Sequence, residues 1–119
     1  MIRFRFENLE IWQRSVEVAR KLFRLADVLE RKKLYRFADQ LRGSGLSMPN
    51  NIAEGSGSTS KKEFIQFLNI ARRSTFENAS MIIIFAKDEL ISEDIKNELI
   101  KDLDELCRMI TAFSRTLNR

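Results

Sequence analysis

Short polar side chains recur at helical spacing in the second third of this chain, where a core stripe would ordinarily be apolar. Gln40, Ser44, Ser47, Asn51 and Glu54 step by four, three, four and three, which on a helix places all five in one row beside Leu41, Met48 and Ile52. A solvated face would carry Lys and Glu, so amides and hydroxyls in register imply either a buried hydrogen-bond network or a contact surface. Ser74 and Glu77 repeat the pattern further along. Glu54 and Glu77 raise the possibility of an acid pair or a metal site. The chain has no histidine, however, which removes Ser-His-Asp and Cys-His catalysis, histidine-ligated zinc and the Glu-x-x-His pairs of di-iron bundles. The preferred reading of these carboxylates is a network across helices or subunits, with Arg42, Arg72 or Asn51 as candidate partners. No metal, no cofactor and no catalytic residue are expected.

The glycine clusters supply no phosphate chemistry. Gly43-x-Gly45 lacks a third glycine and follows no strand, and Gly55-Ser56-Gly57-Ser58 lacks the Gly-Lys-Ser/Thr ending, so both read as backbone devices. Cys107, the one cysteine, cannot close an internal disulfide and sits beside Leu106 in a helical pattern, which suits a reduced, half-buried thiol.

Cationic residues offer a different chemistry. Residues 1 to 42 hold 11 Lys/Arg against 6 Asp/Glu, a net of +5, whereas residues 87 to 119 hold 6 against 8, a net of −2. Arg14, Lys21, Arg24 and Arg31 fall opposite the apolar face of the first helical segment, and Lys32, Lys33 and Arg36 extend the patch through the following turn. Such a cluster can neutralise phosphates without regard to base sequence. It can equally be a solvated face, interspersed as it is with Glu10, Glu17 and Asp27. Aromatics do not interleave with it, so a base-stacking platform is not supported.

The elements that must position these groups are four helices. Residues 8 to 30 place Leu9, Trp12, Val16, Ala19, Phe23 and Ala26 at steps of three and four, with Trp12 expected to be largely buried. A second segment runs from about Leu34 towards Glu54 with Leu34, Ala38, Leu41, Met48 and Ile52 inward. Pro49 lacks an amide N–H donor and clashes with the carbonyl of Gly45, so a kink or local break is expected there. Ser60-x-x-Glu63 is a capping box that starts a third helix at Lys61, carrying Phe64, Phe67, Leu68, Ala71, Thr75, Ala79, Ile82 and Ala86 to about Glu89. Ser92 with Glu93 and Asp94 caps a fourth, whose row is Leu99, Leu103, Leu106, Ile110, Phe113 and Leu117. Residues 1–7, with Ile2-x-Phe4-x-Phe6 alternating with arginines, read as an extended arm.

Four helices joined by short connections pack best as an all-α, antiparallel up-down-up-down bundle, a single domain over residues 1–119. The first helix has a second apolar row, Ile11, Val18, Leu22, Leu25 and Leu29, and Met81 to Phe85 is apolar all round, bringing in Ile83, Ile84 and Phe85. Width beyond one core stripe implies further cover, and a homo-oligomer is expected. With no span long enough for a bilayer and no charged leader, the expected location is the cytoplasm, with no membrane partner.

Several of these residues carry a family resemblance. Phe6-x-x-Leu9-x-x-Trp12-Gln13, Gln40-Leu41-Arg42, Ser44, Ser47, Pro49-x-Asn51-Ile52-Ala53-Glu54-Gly55, Ser60-Lys61-x-Glu63-Phe64-x-x-Phe67-Leu68-x-x-Ala71 and Ser74-x-x-Glu77 together resemble the four-helix bundle proteins encoded in bacterial 23S ribosomal RNA intervening sequences. That family is similar in turn to the accessory proteins of diversity-generating retroelements, which form homopentameric barrels and bind nucleic acid with a reverse transcriptase. The resemblance implies a pentamer and a non-enzymatic role holding RNA or DNA. The alternative is an adaptor whose target is a polypeptide such as a reverse transcriptase. Two positions depart from the family pattern: Ser58 stands where Arg is frequent, and Arg73 where Gly is.

Overall fold

The computed structural model describes residues 1–118. A short 3-10 turn (Arg5–Asn8) leads into α1 (Glu10–Arg31), α2 (Tyr35–Ser56), α3 (Lys61–Lys87) and α4 (Glu93–Leu117), and no strand occurs among the described residues. Each helix packs on the next in the chain, and α1 and α4 close the bundle, which measures 44 × 30 × 20 Å. Phe64 at the start of α3 meets Phe113 near the end of α4, ring centroids 5.6 Å apart, while Lys32 after α1 reaches the Leu90 carbonyl after α3 at 3.3 Å. The first contact is that of antiparallel neighbours, and the second brings the C-terminal ends of α1 and α3 to the same end of the bundle, as alternating helix directions require.

Local chemistry sets the helix ends. Ser60 Oγ accepts the Glu63 amide and Ser92 Oγ accepts the Ile95 amide, each at 3.1 Å, satisfying donors that the first turn leaves open. α1 and α3 both close with paired bonds around a left-handed residue. Leu34 N–H donates to Leu29 O and Lys33 N–H to Glu30 O, with Lys33 at φ 66°; Leu90 and Glu89 repeat this on Phe85 and Ala86, with Glu89 at φ 60°. The extended arm is corrected in part: residues 5–8 wind into the 3-10 turn, where Glu7 Oε2 accepts the Phe4 amide at 2.7 Å and Phe6 packs on Trp12 at 4.9 Å.

Pro49 does not break α2, which runs continuously from Tyr35 to Ser56 with the proline buried in it. Gly55, in the last turn of α2, leaves no room for a side chain, since a Cβ there would lie 2.8 Å from Phe64 Cδ1 and 2.8 Å from Phe67 Cβ.

The core corrects the register of α1. Ile11, Val18, Leu22, Leu25 and Leu29 are its central buried line, with Ser15, Ala19 and Ala26 beside them, while Trp12, Val16 and Phe23 are half-buried. The broad apolar face does serve two partners, but both are helices of the same chain, α2 and α4. The inward rows expected for α2, α3 and α4 hold, with Leu34, Phe67, Ala79, Phe113 and Leu117 only half-buried.

Candidate functional site

The polar row divides between two environments. Ser44, Ser47 and Asn51 on α2 meet Ser74 on α3: Ser47 Oγ and Ser74 Oγ lie 2.9 Å apart, and Asn51 Nδ2 donates to Ser47 O at 2.8 Å and to Ser47 Oγ at 3.0 Å. Asn78, fully buried, completes the cluster by donating through Nδ2 to Ser44 O at 3.1 Å and Ser74 O at 2.8 Å. Its signal in the sequence is an amide four residues after Ser74, which extends the polar row by one turn of α3. Ser44 Oγ and Asn78 Oδ1 are buried without a hydrogen-bond partner among the described residues. Gln40, Glu54 and Glu77 are exposed. Glu77 shares a hollow of about 430 Å³ with Ser47, Ile70, Arg73 and Ser74, and Glu54 is not part of it, so the two carboxylates form no joint site. Among the described residues no group of His, Cys, Asp and Glu is arranged to hold a metal ion.

The basic row also divides. Arg14 donates to Glu17 at 2.8 Å and to Asp102 at 3.0 Å, and Lys21 donates to Asp102 at 2.7 Å and Glu98 at 3.1 Å. Asp102 is buried, so these bonds compensate a carboxylate that α4 carries into the α1 interface. Burial opposes the Arg14 charge, but the Glu17 hydrogen bond and the charges of Asp102, Glu105 and Glu17 outweigh it and raise its pKa above the ordinary arginine value. Hydrogen bonds to Asp102 and Glu98 raise Lys21 above the ordinary lysine value. Both residues therefore belong to a structural ion-pair cluster. Arg24, Arg31, Lys33 and Arg36 are exposed with no carboxylate partner among the described residues, and Lys32 is exposed with only the Leu90 carbonyl. Arg42 is drawn away to Asp27 at 2.9 Å and Glu30 at 3.2 Å, which raise its pKa.

Of the residues expected to form an apolar interface, Ile11, Val18, Leu22, Leu25, Leu29 and Phe85 are buried inside the chain, with Phe85 against the Phe37 ring at 5.5 Å. The reason is the bundle itself, which places α1 between α2 and α4. Ile83 and Ile84 do face outward, 40% and 52% exposed, and with Phe76, 60% exposed, they edge an apolar groove of about 510 Å³ between α3 and α4 that also contains Ile100 and Cys107. No helix among the described residues is long and apolar enough to cross a membrane.

No curated protein sequence matches the chain. A crystal structure of a protein of unknown function from the S23 ribosomal protein family of Bacteroides thetaiotaomicron superposes with a TM-score of 0.83 at 24% identity, covering 87% of this chain and 97% of that one, which establishes a shared fold. The model of the family described as 23S rRNA-intervening sequence protein matches residues 7–112. With nearly the whole bundle inside that match, the chain belongs to the 23S rRNA-intervening sequence protein family.

Proposed function

We propose that this protein is a non-enzymatic, homo-oligomeric accessory protein that holds RNA or DNA through phosphates with little sequence preference. The observation that carries the reading is the contrast among its cations. Arg14, Lys21 and Arg42 are committed to carboxylates, whereas Arg24, Arg31, Lys33 and Arg36 project from the end of α1 and the start of α2 without acidic partners among the described residues. Lys32 stands at the edge of this group, in a hollow it shares with Glu89 and Glu93 that weakens its field. Repeating the patch around a closed ring raises avidity without new contacts. The subunit number of five, and the kinship with retroelement accessory proteins, come from the sequence resemblance.

Anisotropy with labelled RNA and DNA tests the proposal. Binding should weaken linearly in log affinity against log salt, with a slope of about −0.9 per phosphate neutralised on duplex DNA. Replacing Arg31, Lys32, Lys33 and Arg36 together by Gln should weaken binding to all sequences and flatten that slope while the assembly persists. Absence of binding by the wild type at low salt would end this reading. The α3–α4 groove favours a second one, an adaptor role, because exposed Phe76, Ile83 and Ile84 suit an apolar polypeptide contact.

A further inference from the structure

Five cationic side chains among the described residues are half-buried: Arg14, Lys21, Arg42, Arg72 and Lys96. Desolvating a charge requires compensation, and four of the five have it in a carboxylate, Lys96 through Glu93 at 2.7 Å. Arg72 has no carboxylate partner among the described residues. It is nevertheless held in place. Its Nε donates to Thr111 Oγ1 at 3.1 Å, Thr111 in turn donates its hydroxyl proton to Cys107 O at 2.9 Å, and the guanidinium lies over the Phe76 ring, 5.2 Å from the centroid. The two terminal amino groups of the guanidinium, a planar fork suited to two oxygens of one anion, have no acceptor among the described residues.

Arg72 lines a hollow of about 220 Å³ between α3 and α4. Leu68 and Ile110 contribute apolar surface to it, and Asn69, Ser114 and Arg115 supply an amide, a hydroxyl and a second guanidinium, with no carboxylate in the lining. Arg115 likewise has no carboxylate partner among the described residues. A fixed cation beside low-dielectric surface binds an anion more strongly than a mobile one in water, because the charge is less screened and less side-chain freedom is lost. We infer that this hollow is a phosphate-binding site, in which Arg72, oriented by Thr111 and Phe76, grips two phosphate oxygens while Arg115 supplies the second charge and Asn69 and Ser114 the neutral donors. The inference rests on the nucleic-acid reading, and the ligand chemistry is a phosphate of a nucleic acid strand, either internal to the backbone or at the 5′ end.

The test uses the full-length protein and labelled oligonucleotides, duplex and single-stranded, each with a 5′-phosphate or a 5′-hydroxyl. Arg72→Gln should weaken binding about tenfold and reduce the duplex salt slope by about 0.9, the loss of one phosphate contact. Arg72→Lys should recover only part of the affinity, because a point charge replaces the fork. Arg115→Gln should weaken binding on its own. An effect confined to 5′-phosphorylated strands identifies a terminal phosphate; an equal effect on both ends identifies the backbone. If the wild type binds and both glutamine variants match its affinity and slope, the hollow is not a phosphate site, while the α1–α2 patch remains available as the contact. If the wild type binds no oligonucleotide at low salt, both readings fall. Should Arg72→Gln melt well below the wild type, Arg72→Lys and Arg115→Gln carry the same comparison.

Discussion

A carboxylate with 8% of its surface exposed needs compensation, and Asp102 receives it from two side chains of α1. The guanidinium of Arg14 and the ammonium of Lys21 are thereby turned from ligand-seeking charges into parts of the α1–α4 contact. Asp102→Asn removes the charge that both cations face and should cost about 1–3 kcal/mol at neutral pH, towards the low end because both cations remain partly solvated. Its pH dependence has a definite sign. The pKa of Lys21 is raised above 10.5 by its hydrogen bonds to Asp102 and Glu98, so the stability it contributes is present in full below 10.5 and is lost as pH rises through the higher folded-state value. Melting temperatures of wild type and Asp102→Asn should therefore differ by a constant amount from neutral pH to about pH 10, and the gap should narrow above 10.5 to the part that the Arg14–Asp102 pair retains. A gap unchanged through that alkaline range would show that Lys21 gains nothing from Asp102.

At the scale of elements, the α2–α3 corner is set by one missing methyl. Gly55 brings α2 so close to the first turn of α3 that an added Cβ would fall 2.8 Å from two phenylalanine side chains. Helix propensity alone would favour Ala over Gly by about 1 kcal/mol. Packing reverses that sign: Gly55→Ala should destabilise the fold by about 1–3 kcal/mol, read as a lower denaturant midpoint with an unchanged slope. A neutral or stabilising result would mean that the corner can open freely. Helix ends were legible in the sequence because their signals are local. Ser60 and Ser92 cap α3 and α4 from a few residues away. What crosses between helices was less legible. Periodicity shows how wide an apolar face is, not which neighbours share it, so the Ile11 to Leu29 line read as an interface between subunits although α2 and α4 cover it. The Arg14–Asp102 bond joins residues 88 apart in the chain, and no spacing rule predicts it. Asn78 and the Arg72 guanidinium were hidden for the same reason, since each takes its meaning from the neighbouring helix.

For the whole molecule, the question is what covers the apolar surface that the bundle leaves outside. Phe76, Ile83 and Ile84 expose 60%, 40% and 52% of their surfaces beside a groove that holds Cys107. An aromatic side chain and two isoleucines exposed together suit the centre of an interface of about 800 Å² per partner, the size stable association requires. Under the proposed self-association, a second copy supplies the cover. Light scattering at micromolar concentration should then give a multiple of the 14.0 kDa chain mass, five-fold if the family resemblance extends to assembly. Replacing Ile83 and Ile84 together by Lys should lower that mass without moving the helical circular dichroism, because neither side chain belongs to the buried core. Cys107, the only thiol, is an internal reporter: its labelling by a thiol reagent should be slow in the assembled wild type and faster in the double lysine variant. A wild type that scatters as a monomer removes the oligomer from the proposal. An oligomer that survives the two lysines, with Cys107 labelling unchanged, places its interface elsewhere and leaves the groove free for a different polypeptide.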